Sequence, residues 1–200
     1  MGLFQKLFGP KVEVTDVWLV VGLGNPGSRY EKTRHNAGRD ALLAVANHFN
    51  FQPWAVVKKH EAQIATGQIA GQSVFLFLPD TYMNLSGHSL RSYLRFLAIR
   101  PQIIIVHDDI DLPLGKVRLG QGRGAGGHNG VASVIKEIGT PNFMRLRLGV
   151  GRDETGATES VLKTVPADRR LEFEAMKDKV GAILATIIES GLEPAMNKYN

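Results

Sequence analysis

The amino-acid sequence predicts a single α/β domain, three layers in depth, with a mixed, mostly parallel central sheet and helices on both faces. Three observations carry this. Short apolar runs rich in β-branched residues alternate with longer stretches of helical periodicity. The 200 residues, 44% hydrophobic and 22% charged, suffice for one buried core, and no second core, internal repeat or low-complexity tract is present. The unusual polar residues gather just past the ends of the apolar runs, where open α/β sheets form their sites.

Residues 1–15 read as a leader outside the domain, either a flexible tail or a short amphipathic helix, and the domain is expected over 16–200. "DVWLVVGL" (16–23) is a buried strand. "NAGRDALLAVANHF" (36–49) is a helix with Leu42, Leu43, Ala46 and Phe49 on one face. "AQIATGQI" (62–69) and "SVFLFLP" (73–79) flank "AGQ" as a hairpin. "NLSGHSLRSYLRFLAI" (84–99) is a helix with Leu90, Tyr93, Leu94 and Leu97 at helical spacing. "QIIIVHDD" (102–109) is a buried strand and "KVRLG" (116–120) a short one. After the glycine-rich loop 120–130 come a helix at 131–139 and a strand at 143–151. Residues 166–191 form one long helix entered through Pro166.

Composition excludes several functions. Without cysteine there is no disulfide, thiolate metal site or cysteine nucleophile, which fits a reducing compartment. No apolar run approaches the ~20 residues that span a bilayer. "MGLFQKLFG" is too short and interrupted for a secretory signal, and Lys6 stands where myristoylation favours Ser or Thr. The net charge is +5 and the isoelectric point near 9.6. The charge is uneven: residues 1–152 carry +8 and residues 153–200 carry −3. Such a balance suits a polyanionic partner, nucleic acid first, or a merely basic surface.

"VVGLGNPGSRY" (20–30) has the glycine spacing of a dinucleotide turn. That reading fails because a polar loop, not a helix, follows the glycines, and no acidic residue ends a following strand. Instead "GNPG", "TYMN" (81–84) and "HDD" (107–109) all follow or end strands and converge on one sheet edge. His35, in "TRHNAG", is either a solvated loop residue or a general base whose charged form the strand-end carboxylate Asp108 supports. Asn25, Asn84 and Asn129 are either caps and turns or amide donors to a carbonyl and its developing oxyanion. "GAGGHNG" (124–130) is either a flexible loop or a cradle of backbone N–H groups for phosphate or ester. His107, Asp108, Asp109, Asp111 and His128 raise a metal-dependent hydrolase as an alternative, but no recognised ligand spacing links them. Neither a P-loop nor a serine-hydrolase elbow is present.

Seven motifs, in order, resemble the bacterial peptidyl-tRNA hydrolase family. They are "VGLGNPG" (21–27), Tyr30, "TRHNAG" (33–38), "PDTYMNLSG" (79–87), "HDDIDLPLG" (107–115), "GGHNG" (126–130) and "NFMRLRLGVG" (142–151). "AMNKYN" (195–200) also matches the family's usual end. The resemblance implies a single α/β/α domain that hydrolyses the ester between a peptide, or an N-blocked amino acid, and tRNA. Water is then the nucleophile, with no cofactor and no metal. His35 matches the catalytic base, Asp108 its supporting carboxylate, and Asn25 the residue that helps tell blocked from free aminoacyl groups. Tyr30, Tyr82, Asn84 and Asn129 match substrate contacts, and Met83 and Gly126 belong to the same site. Arg118 and Arg147 match a basic pair on the tRNA's terminal phosphate, and Arg can grip phosphate bidentately. Arg123 is a departure, facing either phosphate or solvent. The implied setting is the cytoplasm, away from membranes, and the implied state a monomer. The rival of another class is a relative that binds RNA without hydrolysing it.

Overall fold

The computed structural model describes residues 17–97, 99–152 and 162–200. The expected leader, 1–15, lies outside them. The central strands are β1 (Val17–Gly22), β4 (Gln72–Pro79), β5 (Gln102–Asp109) and β7 (Met144–Gly149), all parallel. They sit within a seven-stranded sheet of order β2 (Ala55–Val57), β3 (Ala62–Ile69), β4, β1, β5, β7, β6 (Val117–Gln121). β3 runs antiparallel to β4, and β6 antiparallel to β7. The expected mixed sheet is therefore present, with its antiparallel pairs at the two edges. β2, a three-residue, largely exposed strand on β3, was not expected.

β1 lies between two neighbours and is buried on both faces, so its sequence is apolar throughout rather than alternating. Its side chains still divide by the period of two. Trp18 and Val20 face a core shared with α1 (Ala37–His48) and α4 (Arg170–Ser190). Val17, Leu19 and Val21 face a second core, under α2 (Ser86–Leu97) and α3 (Asn129–Ile138). These are the three expected layers. Among the described residues no helix is long and apolar enough to cross a membrane.

Several boundaries differ from expectation. On α1, Leu42, Val45 and Ala46 are buried but Leu43 is 37% exposed. Leu43 stands about 100° around the helix from Leu42, off the i, i+3, i+4 stripe. The helix expected at 84–99 opens as a 3₁₀ turn, Met83–Leu85, before α2. The helix expected at 131–139 begins two residues earlier, because His128 caps it. The long helix expected at 166–191 starts with a 3₁₀ turn after Pro166 and ends at Gly191 (φ 90°). A separate helix, α5 (Leu192–Tyr199), then follows. The final residue, Asn200, exchanges two hydrogen bonds with the backbone of Leu119 (2.7 and 3.2 Å), so the chain end pins the edge strand β6.

One glycine sets where α1 sits. A Cβ on Gly38 would lie 2.2 Å from the carbonyl oxygen of Val106 in β5. The start of α1, just past His35, is thus pressed onto the strand that carries Asp108. Gly38→Ala should lower stability by about 1–3 kcal/mol, the range for overpacking. It should also lower catalytic turnover at temperatures where the protein stays folded, because it pushes α1 off β5. Thermal denaturation with activity measured below the transition checks this; wild-type turnover in a folded variant contradicts it.

Candidate active site

At the carboxyl ends of β1, β4 and β5 the chain leaves a cavity of about 880 Å³. Asn25, Tyr30, His35, Tyr82, Met83 and Asn84 line it. So do Asp108, Gly126, Asn129 and Arg147. Ten of the eleven site residues that the family resemblance implied are thereby brought together. Arg118 is the exception. It is exposed on β6, directly opposite Arg147 across the antiparallel pair and so on the same sheet face, at the rim.

At the floor is a buried hydrogen-bonded chain. His35 Nδ1 lies 2.9 and 3.0 Å from the two carboxylate oxygens of Asp108. His128 Nε2 lies 2.9 Å from Asp108 Oδ1. The cap of α3 determines who donates. His128 Nδ1 accepts the N–H groups of Gly130 and Val131, so its proton sits on Nε2 and is donated to Asp108. Burial drives the Asp108 carboxyl upward, but the attraction and hydrogen bond of the His128 Nε2–H, followed by the hydrogen bond and attraction of His35, outweigh it and hold Asp108 well below the usual carboxylate range. Asp108 is therefore an ionised acceptor, and His35 must donate its Nδ1–H. The remaining lone pair of His35, on Nε2, has no protein partner among the described residues, and the ring lines the cavity. Below, His107 Nδ1 donates to the backbone oxygen of Asp108 (2.7 Å). Burial, then the neighbouring His128, push the His107 pKa well below its ordinary value, keeping the ring neutral.

One wall is the turn after β1. The Asn36 side chain accepts from the Asn25 N–H (2.8 Å) and donates to the Asn25 carbonyl (3.0 Å). The Met83 N–H donates to Asn25 Oδ1 (2.8 Å). With its oxygen so held, the Asn25 amide presents its NH₂, which has no protein partner among the described residues. Asn84 and Asn129 are exposed, and neither makes a capping bond through its side chain; the cap of α3 is His128. Tyr30 and Tyr82 meet edge to face with centroids 6.3 Å apart, at the mouth. Gly126, at φ 59°, and Gly127, at φ 80°, take the left-handed backbone that lets the loop turn into α3.

The opposite wall is basic. Arg123, Arg145, Arg147 and Arg152 all line it. Arg147 is ion-paired through Nε with Asp109, and Arg152 with Asp111. Arg145 shares a face of β7 with Arg147, as the period of two requires, but is only 5% exposed and donates to the carbonyl of Gly124 (2.7 Å). It anchors the glycine loop. Burial, then Arg147 and Arg123, lower its pKa, a mark of the positive field at this wall.

Of the residues raised as metal ligands, only Asp108 and His128 converge, joined by His35, with their ligand atoms within 4.8 Å of one another. The capped tautomer of His128 aims a proton, not a lone pair, at Asp108, so the contacts are those of charge-assisted hydrogen bonds. The sequence reading missed Asn36 as a site-building residue and considered His128 only as a metal ligand. The position of His128 immediately before Asn129, at a helix start, was the available signal.

Fold and cavity together define a three-layer α/β/α protein whose histidine, oriented by a buried carboxylate, faces a cleft with a basic wall. The sequence profile of the family described as Peptidyl-tRNA hydrolase matches residues 19–200. The chain belongs to that family. A peptidyl-tRNA hydrolase from Chloroflexus aurantiacus is 37% identical over 190 residues, covering 92% of this chain and 99% of its own. One from Mycolicibacterium smegmatis is 41% identical over 182 residues, covering 90% and 95%. The crystal structure of peptidyl-tRNA hydrolase from Acinetobacter baumannii superposes with a TM-score of 0.85 at 35% identity, covering 95% and 97%.

Proposed function

We infer that the chain hydrolyses the ester linking a peptide, or an N-blocked amino acid, to tRNA, releasing free tRNA. The carrying observation is the buried Asp108 carboxylate that takes His35 Nδ1–H and leaves His35 Nε2 open to the cavity. In this reading a water lies between His35 Nε2 and the ester carbonyl. His35 takes its proton as the oxygen attacks, and Asp108 stabilises the resulting imidazolium. The free NH₂ of Asn25 and the amides of Asn84 and Asn129 donate to the carbonyl oxygen or to the peptide beside it. Collapse of the tetrahedral intermediate expels the ribose oxygen, which takes the proton back from His35. The Tyr30 and Tyr82 rings flank the terminal nucleoside, and the backbone at Gly126 borders the same site. No cofactor and no metal enter this scheme. All its groups come from one chain, which supports a monomer, and we place it in the cytoplasm with translation. The test is release of free tRNA from N-blocked aminoacyl-tRNA by the purified protein in monovalent salt with excess EDTA. Undiminished turnover is expected. Activity lost in EDTA and restored by one transition metal would favour the metal-dependent alternative.

Arg118 and Arg147 are assigned to the terminal phosphate of tRNA, an assignment supported by their adjacency on one sheet face beside the cavity. Their substitution by Ala should raise KM with little change in kcat. Each should flatten the log–log salt dependence of KM by about 0.7, the value for one single-strand phosphate left unneutralised. Wild-type KM and salt slope in both variants would place the phosphate grip elsewhere.

A further inference from the structure

A second groove, of about 500 Å³, lies apart from the cavity, between α2 and the 3₁₀ turn Lys58–His60. On α2 the residues His88, Arg91 and Arg95 follow one another at intervals of three and four, a single stripe facing away from buried Leu90, Tyr93 and Leu97, and Phe96 flanks it on the side of Tyr93. Lys59 comes over from the turn, with its ammonium 5.9 Å from the centre of the Phe96 ring. Beneath, the buried His60 is fixed to Ser92 through Nδ1 (2.8 Å).

The charge here is unbalanced. Arg91 is neutralised by Glu137 of α3 at 2.8 Å. Lys59 and Arg95 are exposed cations with no acidic partner among the described residues, and the exposed His88 ring stands beside them. Phe96 leaves 43% of its surface exposed in their midst. Free cations around an exposed ring suit the backbone and bases of RNA, where phosphate gives affinity and a ring face accepts a base without regard to its identity. The helix that carries the stripe also begins beside the active site. α2 starts directly after Met83–Leu85 on the cavity rim, where Tyr82 and Leu85 are 59% and 50% exposed. From Ser86 to Arg95 the helix advances about 14 Å. An RNA whose 3′ end enters the cavity can therefore meet this face several nucleotides away.

We propose that the Lys59, His88, Arg95 and Phe96 face is an additional contact for the substrate tRNA, engaging backbone phosphates remote from the ester. This rests on the tRNA reading above. The face contributes uniform binding and leaves the chemical step alone.

The test compares two substrates, N-blocked aminoacyl-tRNA and a short N-blocked aminoacyl fragment ending in CCA, for wild type and for Lys59→Gln/Arg95→Gln. With full tRNA the variant should raise KM at least several-fold and flatten the salt dependence by roughly 0.7 for each phosphate no longer neutralised. Its kcat should not change, and its kinetics on the fragment should match wild type, which also shows that the variant is folded. Phe96→Ala should raise KM for full tRNA further when added to the pair. Wild-type KM and salt slope on full tRNA in the double variant overturn the proposal. So does an equal loss on fragment and full tRNA, which would mark a structural role. Failure of the wild-type protein to cleave either substrate would instead sink the underlying hydrolase reading.

Discussion

His35→Ala should lower the turnover of N-blocked aminoacyl-tRNA by roughly 10²–10⁴-fold, the usual contribution of general-base catalysis, while leaving tRNA affinity near wild type. The expectation follows from one nitrogen. His35 Nδ1 is committed to both oxygens of Asp108, so Nε2 is the ring's free lone pair, and the ring lines the cavity. Alanine removes that lone pair without touching the arginines of the opposite wall. The loss therefore belongs in kcat, with KM for tRNA much less affected. Single-turnover hydrolysis with saturating enzyme, beside a direct tRNA-binding measurement, separates the two. Turnover near wild type in this variant would remove His35 from the mechanism.

Asp108→Asn should lower turnover by roughly 10²-fold, with the fold retained. The reason is a conflict of donors. Asp108 accepts from His35 Nδ1–H and from His128 Nε2–H at once. An amide offers one acceptor and one donor. His128 cannot change its tautomer without giving up the backbone N–H groups of Gly130 and Val131. The amide oxygen therefore goes to His128, and its NH₂ confronts His35. His35 then holds its lone pair toward position 108 and its proton toward the cavity, which is the wrong tautomer for a base. Because both residues act as one unit, His35→Ala/Asp108→Asn should be no slower than His35→Ala alone. Additive losses would mean that the carboxylate acts on something other than His35.

Much of this was legible in the sequence because central parallel strands are buried on both faces. Runs such as those at 16–23 and 102–109 then have no polar positions until they end, and the first polar residues past the end mark the site. Asn25, Tyr82 and Asp108 were found that way. What stayed hidden depended on contacts between distant segments. Nothing near Asn36 in the chain shows that its amide will brace Asn25, since that bond exists only once the turn folds back. Arg145 and Arg147 look alike in "RLRLG", yet one anchors the glycine loop and the other pairs with Asp109; register against β6 and the path of the loop decide between them. β2 is three residues long and largely exposed, too short for any periodicity. The end of the long helix at Gly191 was legible, but α5 was not, because its eight residues include a proline and are too few to show helical periodicity.

On this mechanism the cavity breaks an ester and does not merely hold RNA. The most direct measurement presents the purified protein with matched N-blocked and free aminoacyl-tRNA and follows ester cleavage and tRNA binding together. The prediction is catalytic release of tRNA from the blocked substrate, much slower release from the free one, and no release from the blocked substrate beyond background with His35→Ala. Stoichiometric binding of blocked aminoacyl-tRNA with its ester left intact by the wild-type protein would contradict it.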